Sequence, residues 1–256
     1  MQATVSTTDK SLVDLIVPVY NEAHVLERSA ERLAAAMADC REFLWRIVVV
    51  DNGSTDATET VGRRLAEELG HLRFLHLGPK GRGGALRRAI SETDAQFAVY
   101  MDVDLSTDLA AVPAAVELLR RGADIVAGSR LHPDSQVTRC LKREILSRGY
   151  NRLVRFVMRV KSFDDAQCGF KGFRLATVRS LLPLVKDQNW FFDTELLVLA
   201  EYAGLKVCTL PIVWVEDADS RVNIPRTICQ DLAGLARLRR TAGSLVRQWR
   251  KQSRQE

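Results

Sequence analysis

The sequence predicts an α/β fold with a mainly parallel central sheet. Short runs of β-branched and other apolar residues alternate with segments of helical periodicity, and polar residues follow directly after several of these runs. Strands that alternate with helices at this spacing form right-handed β–α–β units, whose strands are parallel. The predicted strands are residues 12–19, 43–50, 72–77, 97–101 and 124–128. The predicted helices are residues 22–39, a segment ending at Leu69 with Ser54 or Asp56 as its cap, a segment that the loop at 78–84 opens and that ends at about Ser91, and residues 109–120.

The second half of the chain has a less regular pattern. It predicts a basic helix at 140–160, a glycine-rich turn at 168–172, a helix at 192–203, a strand at 205–215 and a helical tail from about residue 225. No internal repeat or low-complexity linker divides the chain. We therefore expect a flexible amino terminus over residues 1–11, one domain over residues 12–223 and a basic amphipathic helix over residues 224–256.

Composition restricts the class of protein. The hydrophobic fraction of 46% and the charged fraction of 27% are those of a globular protein. The five cysteines are widely spaced without a Cys-x-x-Cys motif, which favours a reducing cytoplasm over a disulfide framework or a zinc site. No apolar run reaches the ~18 residues of a membrane span, so we expect a soluble or peripheral protein. Basic residues concentrate in 139–161 and 226–256, which suggests a polyanionic partner, either nucleic acid or an anionic membrane.

Two carboxylates, Asp102 and Asp104, follow the predicted strand at 97–101. Alternation along a strand would point both side chains to the same side. Because like charges at close range repel, a buried pair needs a compensating cation, and Mg²⁺ that carries phosphates prefers one or two carboxylate ligands. The alternative is a solvated acidic turn, with Asp108 capping the next helix.

A glycine-rich loop at residues 81–84 opens a predicted helix. Glycines let backbone amides approach an anion at a helix amino terminus, and Lys80, Arg82 and Arg87 add positive charge. The loop lacks the lysine pattern of a P-loop, and a tight turn without a ligand is the equal alternative. The four histidines show no metal-ligand spacing.

Several motifs occur in an order that resembles one enzyme family. They are Val17-Pro18-Val19-Tyr20-Asn21-Glu22, Asp51-Asn52-Gly53-Ser54-Thr55-Asp56, Asp102-x-Asp104, Gly128-Ser129-Arg130 and Asp165-Ala166-Gln167-Cys168-Gly169-Phe170-Lys171. This order resembles inverting glycosyltransferases of the GT-A fold, a Rossmann-like α/β domain. The last motif and the loop Lys80-Gly81-Arg82-Gly83-Gly84-Ala85 resemble the polyprenyl-phosphate sugar synthases, in particular the dolichyl-phosphate β-glucosyltransferases, which are related to the dolichyl-phosphate mannose synthases.

The resemblance implies a donor site for a nucleotide sugar, UDP-glucose or GDP-mannose. Asp51 would bond to the base, Asp102 would lie beside the ribose and metal, and Asp104 would ligate Mg²⁺ or Mn²⁺ at the diphosphate. The other residues of the nucleotide pocket would be Pro18, Tyr20, Asn21, Glu22, Gly53 and Lys80. Mannose synthases have a glutamine two residues after the second aspartate; Ser106 stands there in this chain.

The resemblance also implies an acceptor site for a lipid phosphate. Arg143, Ser147 and Asn151 recur at four-residue intervals on one helical face, and with Arg130 they would hold the acceptor phosphate. The alternative is an ordinary basic helix with solvated arginines. Since a phosphate monoester with a second pKa of about 6 is largely ionised, its oxygen can attack the anomeric carbon without a base. Asp193 is expected to bind sugar hydroxyls, or else to cap a helix; Asp104, Arg130 and Asp193 are the expected catalytic residues, and Asp165, Gln167 and Lys171 complete the motif.

The carboxyl-terminal segment repeats apolar residues every three or four positions between arginines. The apolar positions are Ile228, Leu232, Leu235, Leu238, Ala242, Leu245 and Trp249. This pattern predicts a helix at the cytoplasmic face of a membrane, alone or with a membrane-protein partner. The alternatives are a helix packed on the domain and a dimer contact.

Two other functions compete with transfer to a lipid phosphate. A hydroxyl acceptor on a glycan, glycolipid or small molecule would keep the donor site. Nucleic-acid binding through the basic segments is disfavoured, because few aromatic residues lie among them and Asp102 and Asp104 would have no role.

Overall fold

A seven-stranded sheet forms the centre of the computed structural model, which describes residues 10–78, 81–216 and 224–252. The strands are β1 (Leu12–Val19), β2 (Leu44–Asp51), β3 (Leu72–His76), β4 (Phe97–Met101), β5 (Ile125–Ser129), β6 (Gln136–Thr138), β7 (Phe170–Arg174), β8 (Val207–Pro211) and β9 (Val213–Val215). The helices are α1 (Ala23–Asp39), α2 (Thr58–Glu68), α3 (Arg82–Glu92), α4 (Ala111–Arg120), α5 (Leu141–Met158), α6 (Leu175–Leu181), α7 (Phe192–Ala203) and α8 (Ile224–Gln252), and a 3-10 helix (Leu182–Leu184) follows α6.

The strand order explains which side chains meet at the edge of the sheet. The order is β3-β2-β1-β4-β7-β5-β8, and every neighbouring pair is parallel except those of β7, which runs antiparallel to β4 and β5. A small second sheet pairs β6 with β9. The carboxyl ends of β1, β2, β4 and β5 therefore lie on one edge, where open α/β sheets bind their ligands. The α/β class and the mainly parallel sheet are confirmed.

Helices cover both faces of the sheet. On one face α1, α2 and α4 pack their buried residues, among them Leu33, Leu65 and Val116, against the strands. On the other face lie α3, the carboxyl-terminal half of α5, α6, α7 and α8. Strands β1 and β4 are buried on both sides, as their continuous apolar runs predict for a parallel sheet.

Two predictions for the second half were wrong. The expected turn at 168–172 includes most of strand β7, which fills the place between β4 and β5. Gly172 lies within this strand, and a Cβ there would come within 3.2 Å of Leu119 on α4, so the glycine allows close packing of helix on sheet. The expected strand at 205–215 is two strands, because Ile212 separates β8 in the large sheet from β9 in the small one.

The carboxyl-terminal helix α8 contributes to the core. Leu235, Leu238, Ala242 and Val246 are buried in the same cluster as α7. The packed-helix alternative therefore describes this part of the apolar stripe, because these side chains are already covered by protein. Ile228 and Leu232, in the first turns, remain exposed. Within the described residues, no helix is both long and apolar enough to cross a membrane.

Replacement of a buried leucine on α8 tests whether this helix is integral to the fold. We expect Leu238→Ala to lower the free energy of unfolding by about 3 kcal/mol, because it removes a fully buried side chain and leaves a cavity. Leu232→Ala, on the same helix but exposed, should change it by less than about 0.5 kcal/mol. Urea denaturation measures both; equal and small effects would show that α8 does not share the core.

Candidate active site

Two turns at the ends of β1 and β2 are bound to each other. The backbone N–H of Asn21 donates to Ser54 Oγ at 2.8 Å, and Thr55 N–H donates to Asn21 Oδ1 at 2.7 Å. Asn21 has a φ of 57°, in the left-handed region that asparagine tolerates. Glu22 N–H donates to Thr58 Oγ1 at 2.9 Å. These bonds hold the segment that contains Pro18, Tyr20, Asn21 and Glu22 against the turn after Asp51.

Asp51 lies at the end of β2 and is fully buried. Its Oδ1 accepts the N–H of Ser54 at 3.0 Å, and its Oδ2 is 2.7 Å from His76 Nδ1. Gly53, with a φ of 73°, completes the turn, and a Cβ there would clash with the carbonyl oxygen of Gly78. In this arrangement Asp51 shapes the turn. Because its carboxylate is fully buried, a base could bond to it only after the residues that cover it move. His76, which sequence reasoning left without a role, orients Asp51.

The glycine-rich loop packs against another part of the protein. Gly81 N–H donates to Asn52 Oδ1 at 2.5 Å, and Gly84 N–H donates to the carbonyl oxygen of Gln188 at 3.1 Å. A Cβ on Gly83 would clash with Phe192 at the start of α7. The tight-turn alternative therefore describes these glycines, since two of the amides that were expected to bind an anion are bonded within the protein. Lys80 lies outside the described residues.

Asp102 and Asp104 lie in the turn after β4, just beyond the strand itself. Asp102 is half-buried and faces Gly169, where any Cβ would overlap its carboxylate. Asp104 is exposed, and its Oδ1 accepts the N–H of Ser106 at 2.9 Å. Two carboxylates at the open edge of the sheet are hard oxygen donors, so they fit Mg²⁺ or Mn²⁺.

Arg82 compensates the charge of the buried carboxylates. Its Nη2 donates to Asp102 Oδ1 at 2.8 Å and its Nη1 to Asp193 Oδ2 at 2.7 Å. Its guanidinium carbon lies 5.2 Å from the centroid of the Tyr100 ring and 5.0 Å from that of the Trp190 ring. Burial alone would lower the pKa of Arg82, but Asp102, Tyr100 and Asp193 outweigh it and raise the pKa well above its usual value. The cation that the Asp102 pattern requires is therefore partly supplied by the protein.

A buried polar network surrounds Asp193. Tyr100 donates its hydroxyl hydrogen to Asp193 Oδ1, and Lys171 Nζ lies 3.1 Å from the Tyr100 hydroxyl and 3.4 Å from Asp193. Burial, reinforced by Asp193, raises the pKa of Tyr100 well above its usual value, so this phenol remains a donor. Asp193 belongs to the first turn of α7 and follows the capping position at Phe191, so the helix-cap alternative was wrong. Both of its carboxylate oxygens accept hydrogen bonds, so the side chain is held in one orientation.

Arg130 and Asp165 form a second buried ion pair. Arg130 Nε and Nη2 donate to the two oxygens of Asp165 at 2.7 and 2.9 Å, and the guanidinium lies 5.1 Å from the Trp214 ring centroid. Burial alone would lower the pKa of Arg130, but Asp165 outweighs it, and Asp102 adds to the rise. Asn151 accepts the N–H of Ala166 at 2.8 Å and donates to Asp165 at 3.4 Å. Arg130, Asn151 and the 165–171 motif are thus one cluster, and Gly169 of the motif contacts Asp102.

Arg143 and Ser147 lie on the same face of α5 as Asn151. Arg143 Nη1 donates to Glu216 Oε1 at 2.6 Å, and Asn151 Nδ2 lies 3.5 Å from Ser147 Oγ. The solvated-arginine alternative does not describe Arg143, which is paired and only 33% exposed. A guanidinium has five N–H donors, so a carboxylate partner leaves donors for a second anion.

Helix α8 is tied to the same region by two polar contacts. Gln167 Nε2 donates to Asp231 Oδ2 at 2.7 Å, and Arg237 Nη2 donates to Glu195 Oε2 at 2.9 Å. Burial raises the pKa of Glu195, whose Oε2 also accepts the N–H groups of Lys186 and Asp187. A cavity of about 300 Å³ lies between α8 and the loop that contains Trp190.

Sequence reasoning missed the parts of the site that depend on distant contacts. Tyr100 and His76 were not among the predicted site residues, although each contacts one that was. Arg82 was expected to add positive charge to an anion-binding loop, not to pair with Asp102 and Asp193, and Trp190, which contacts Arg82, was not predicted. The sequence offered one signal: an arginine inside a glycine-rich loop, placed opposite acidic residues that follow a strand, is a candidate partner for them. The described part of the chain also contains a cluster of Asp51, Glu59 and His76 whose donor atoms lie within 4.8 Å of one another.

Asp231 provides a test of the contacts between α8 and the motif. Burial raises the pKa of Asp231 to about 6, and Gln167 offsets this only in part. Because the folded protein binds this proton more tightly than the unfolded chain, the group costs stability as the pH rises from about 4 through about 6. We expect Asp231→Asn to raise the melting temperature by roughly 3 °C at pH 7.5 and to have no effect at pH 4. Scanning calorimetry at both pH values measures this; a destabilised variant at pH 7.5 would contradict it.

Two curated proteins resemble this chain in sequence over most of its length. Glycosyltransferase AglD of Haloferax volcanii is 37% identical over 222 residues, 84% of this chain and 35% of that protein. The dolichyl-phosphate beta-glucosyltransferase of Drosophila melanogaster is 32% identical over 225 residues, 82% of this chain and 69% of that protein. The chain thus spans about a third of the length of the first relative and about 70% of the second.

A solved structure shares the fold. Glucosyl-3-phosphoglycerate synthase from Mycobacterium tuberculosis, in complex with Mn²⁺, UDP-glucose and phosphoglyceric acid, superposes with a TM-score of 0.66 at 18% identity, and the match covers 88% of this chain and 79% of that chain. This likeness establishes the fold alone, the GT-A arrangement. The family Glycosyl transferase family 2 matches residues 14–181, which include Asp51, Asp102 and Arg130. The chain therefore belongs to glycosyl transferase family 2.

Proposed function

We propose that this protein transfers glucose from UDP-glucose to a polyprenyl phosphate, with inversion at the anomeric carbon. The observation that carries the proposal is the position of the 165–171 motif: its Asp165 holds Arg130, an arginine suited to a phosphate acceptor, and its Gly169 contacts Asp102, a carboxylate suited to the metal of a donor diphosphate. The relatives that are named dolichyl-phosphate beta-glucosyltransferases favour glucose and a lipid acceptor over mannose and GDP. The structural neighbour that binds UDP-glucose supports the same donor.

The donor would bind at the carboxyl ends of β1, β2 and β4. The base would lie along the segment from Pro18 to Glu22 and the turn around Gly53. Asp102 and Asp104 would hold Mg²⁺ or Mn²⁺, which stabilises the negative charge of the departing nucleoside diphosphate when bound. Arg82, held by Asp102 and Asp193 and in contact with Tyr100 and Trp190, adds a positive charge that needs no reorganisation during the reaction.

The acceptor phosphate would be positioned by Arg130, Arg143 and Ser147, while Asn151 and Asp165 hold Arg130 in place. Since the phosphate is largely ionised near neutral pH, its oxygen attacks the anomeric carbon as the bond to the diphosphate breaks, and no proton is removed. Asp193, held by Arg82 and Tyr100, would accept hydrogen bonds from sugar hydroxyls and orient the ring. Lys171, on β7, donates a hydrogen bond to the Tyr100 hydroxyl and so helps to hold Tyr100 in place.

A lipid acceptor implies that the protein works at a membrane. We place it at the cytoplasmic face, where nucleotide sugars are available. The cytoplasm is also a reducing environment, which agrees with the free cysteines of the described chain. The exposed Ile228 and Leu232, with Arg226 nearby in sequence, would bring the first turns of α8 to the same surface. Other membrane proteins would be candidate partners there.

A transfer assay tests both substrates and the metal site. Purified protein is mixed with labelled UDP-glucose or GDP-mannose and a polyprenyl phosphate, with Mn²⁺ or with EDTA. We expect a lipid product from UDP-glucose that EDTA abolishes, and a loss of about 100-fold or more in Asp104→Asn, because a metal ligand is removed. Asp108→Asn, an exposed aspartate outside the metal pair, is the matched control. Metal-dependent transfer to a hydroxyl compound instead would refute the acceptor.

Arg143→Ala tests the acceptor half separately. With a short, water-soluble prenyl phosphate, we expect its acceptor KM to rise about tenfold while the KM for UDP-glucose is unchanged, because one charged hydrogen bond is lost. Arg148→Ala, on the outward side of the same helix, should leave both values unaltered. A rise in the KM for UDP-glucose in Arg143→Ala would contradict this assignment, because it would place Arg143 in the donor half of the site.

A further inference from the structure

Helix α5 exposes large apolar side chains that no described part of the chain covers. Phe156 is 82% exposed, Leu141 73% and Ile145 61%. Leu146 and Leu153 are also exposed, at 38% and 37%. Single exposed apolar residues are ordinary, but five on one helix form a patch of the kind that marks an interaction surface.

The two faces of α5 are clearly separated. Asn151, Val154 and Met158 are buried against the domain, at spacings of three and four residues. The residues opposite them include both the apolar side chains and a set of exposed basic ones. The exposed basic residues are Lys142, Arg148, Arg152, Arg155 and Arg159. The outward face therefore combines apolar and basic groups, where the solvent face of an ordinary helix carries mixed charges.

Acidic charge on this helix is neutralised within the protein. Glu144 is the one acidic residue in the sequence of α5, and its carboxylate oxygens bond to Arg139 and Arg148. The outward surface is therefore strongly positive. An acidic protein surface or an anionic bilayer would complement this charge, but only a bilayer also accepts Phe156 and Ile145 without requiring a matching pocket.

The small sheet extends the apolar patch past the beginning of α5. Val213 and Val215 on β9 are 43% and 59% exposed, whereas Trp214 between them points inward under Arg130. Glu216, which follows β9, accepts the N–H of Cys140 at 3.0 Å and bonds to Arg143. The exposed valines thus lie beside the amino-terminal end of α5, so the patch continues from the helix onto the sheet.

We propose that the outward face of α5, with Val213 and Val215, binds in the plane of an anionic lipid bilayer. The aromatic and aliphatic side chains would enter the boundary between head groups and acyl chains, and the arginines would contact lipid phosphates. Arg143, Ser147 and Asn151 lie on the opposite face of the same helix. This orientation places the acceptor site beside the membrane surface from which a lipid phosphate would come. Only this link to the acceptor rests on the proposed function; the bilayer contact itself does not.

Vesicle sedimentation of the full chain tests the bilayer contact without any substrate. We expect binding to vesicles of phosphatidylcholine with about 30 mol% phosphatidylglycerol, because the anionic lipid attracts basic side chains. Binding to phosphatidylcholine alone should be much weaker. Ile145→Glu/Phe156→Glu should lower the partition coefficient by at least about tenfold. Leu44→Glu is the matched control, because Leu44 is 45% exposed but lies at the opposite end of the sheet. Arg152→Gln/Arg155→Gln should reduce the preference for anionic lipid.

Each outcome decides the proposal. The proposal is overturned if the wild type does not bind vesicles, or if Leu44→Glu and Ile145→Glu/Phe156→Glu lose vesicle binding equally. It is also overturned if the protein is a dimer in solution that only Ile145→Glu/Phe156→Glu disrupts. All variants should keep the wild-type melting temperature, since the altered side chains are exposed. Turnover of the short, water-soluble prenyl phosphate should be unchanged in all variants. Turnover of a long polyprenyl phosphate in vesicles should fall in Ile145→Glu/Phe156→Glu but not in Leu44→Glu. Vesicle binding without any transfer would refute the proposed function and leave the bilayer contact standing.

Discussion

The structure of this site depends on Arg82, whose guanidinium joins Asp102 at the end of β4 to Asp193 at the start of α7. Two carboxylates and a phenol so close together would be costly to bury without a cation. Arg82 supplies it from the first residue of α3, and its guanidinium also contacts the rings of Tyr100 and Trp190. One side chain therefore fixes three elements that are distant in sequence, and it sets the charge that a donor diphosphate would meet.

A second ion pair performs the same task on the other side of Asp102. Asp165 holds Arg130, and Asn151 connects Asp165 to α5. Because Gln167 of the same motif bonds to Asp231, α8 is tied to this cluster as well. Helix α5 is therefore part of the same connected cluster. It carries the proposed acceptor residues on one face and an apolar, basic surface on the other. We infer that acceptor binding and membrane contact share one structural element.

The strands and their edge were predictable because local patterns determine them. Continuous apolar runs placed β1 and β4 inside the sheet, and the polar residues after each strand located the site. The sequence could not show that β7 would be inserted antiparallel between β4 and β5, since this depends on long-range pairing. For the same reason it could not show that Arg82 would neutralise Asp102. The sequence could not show which part of the α8 stripe packs on the domain, because apolar periodicity is the same whether protein or lipid covers it. Burial of Leu238 and exposure of Leu232 distinguish the two parts.

A double-mutant cycle between Arg82 and Asp193 tests the central interaction most directly. The free energy of unfolding is measured by urea denaturation for Arg82→Met, Asp193→Asn and the double variant. Because removal of one partner leaves the other charge buried, each single variant should be strongly destabilised and the double variant should lose less than their sum, with a coupling above about 1 kcal/mol. Effects that add to within about 0.5 kcal/mol would contradict the account, since the two groups would then act independently.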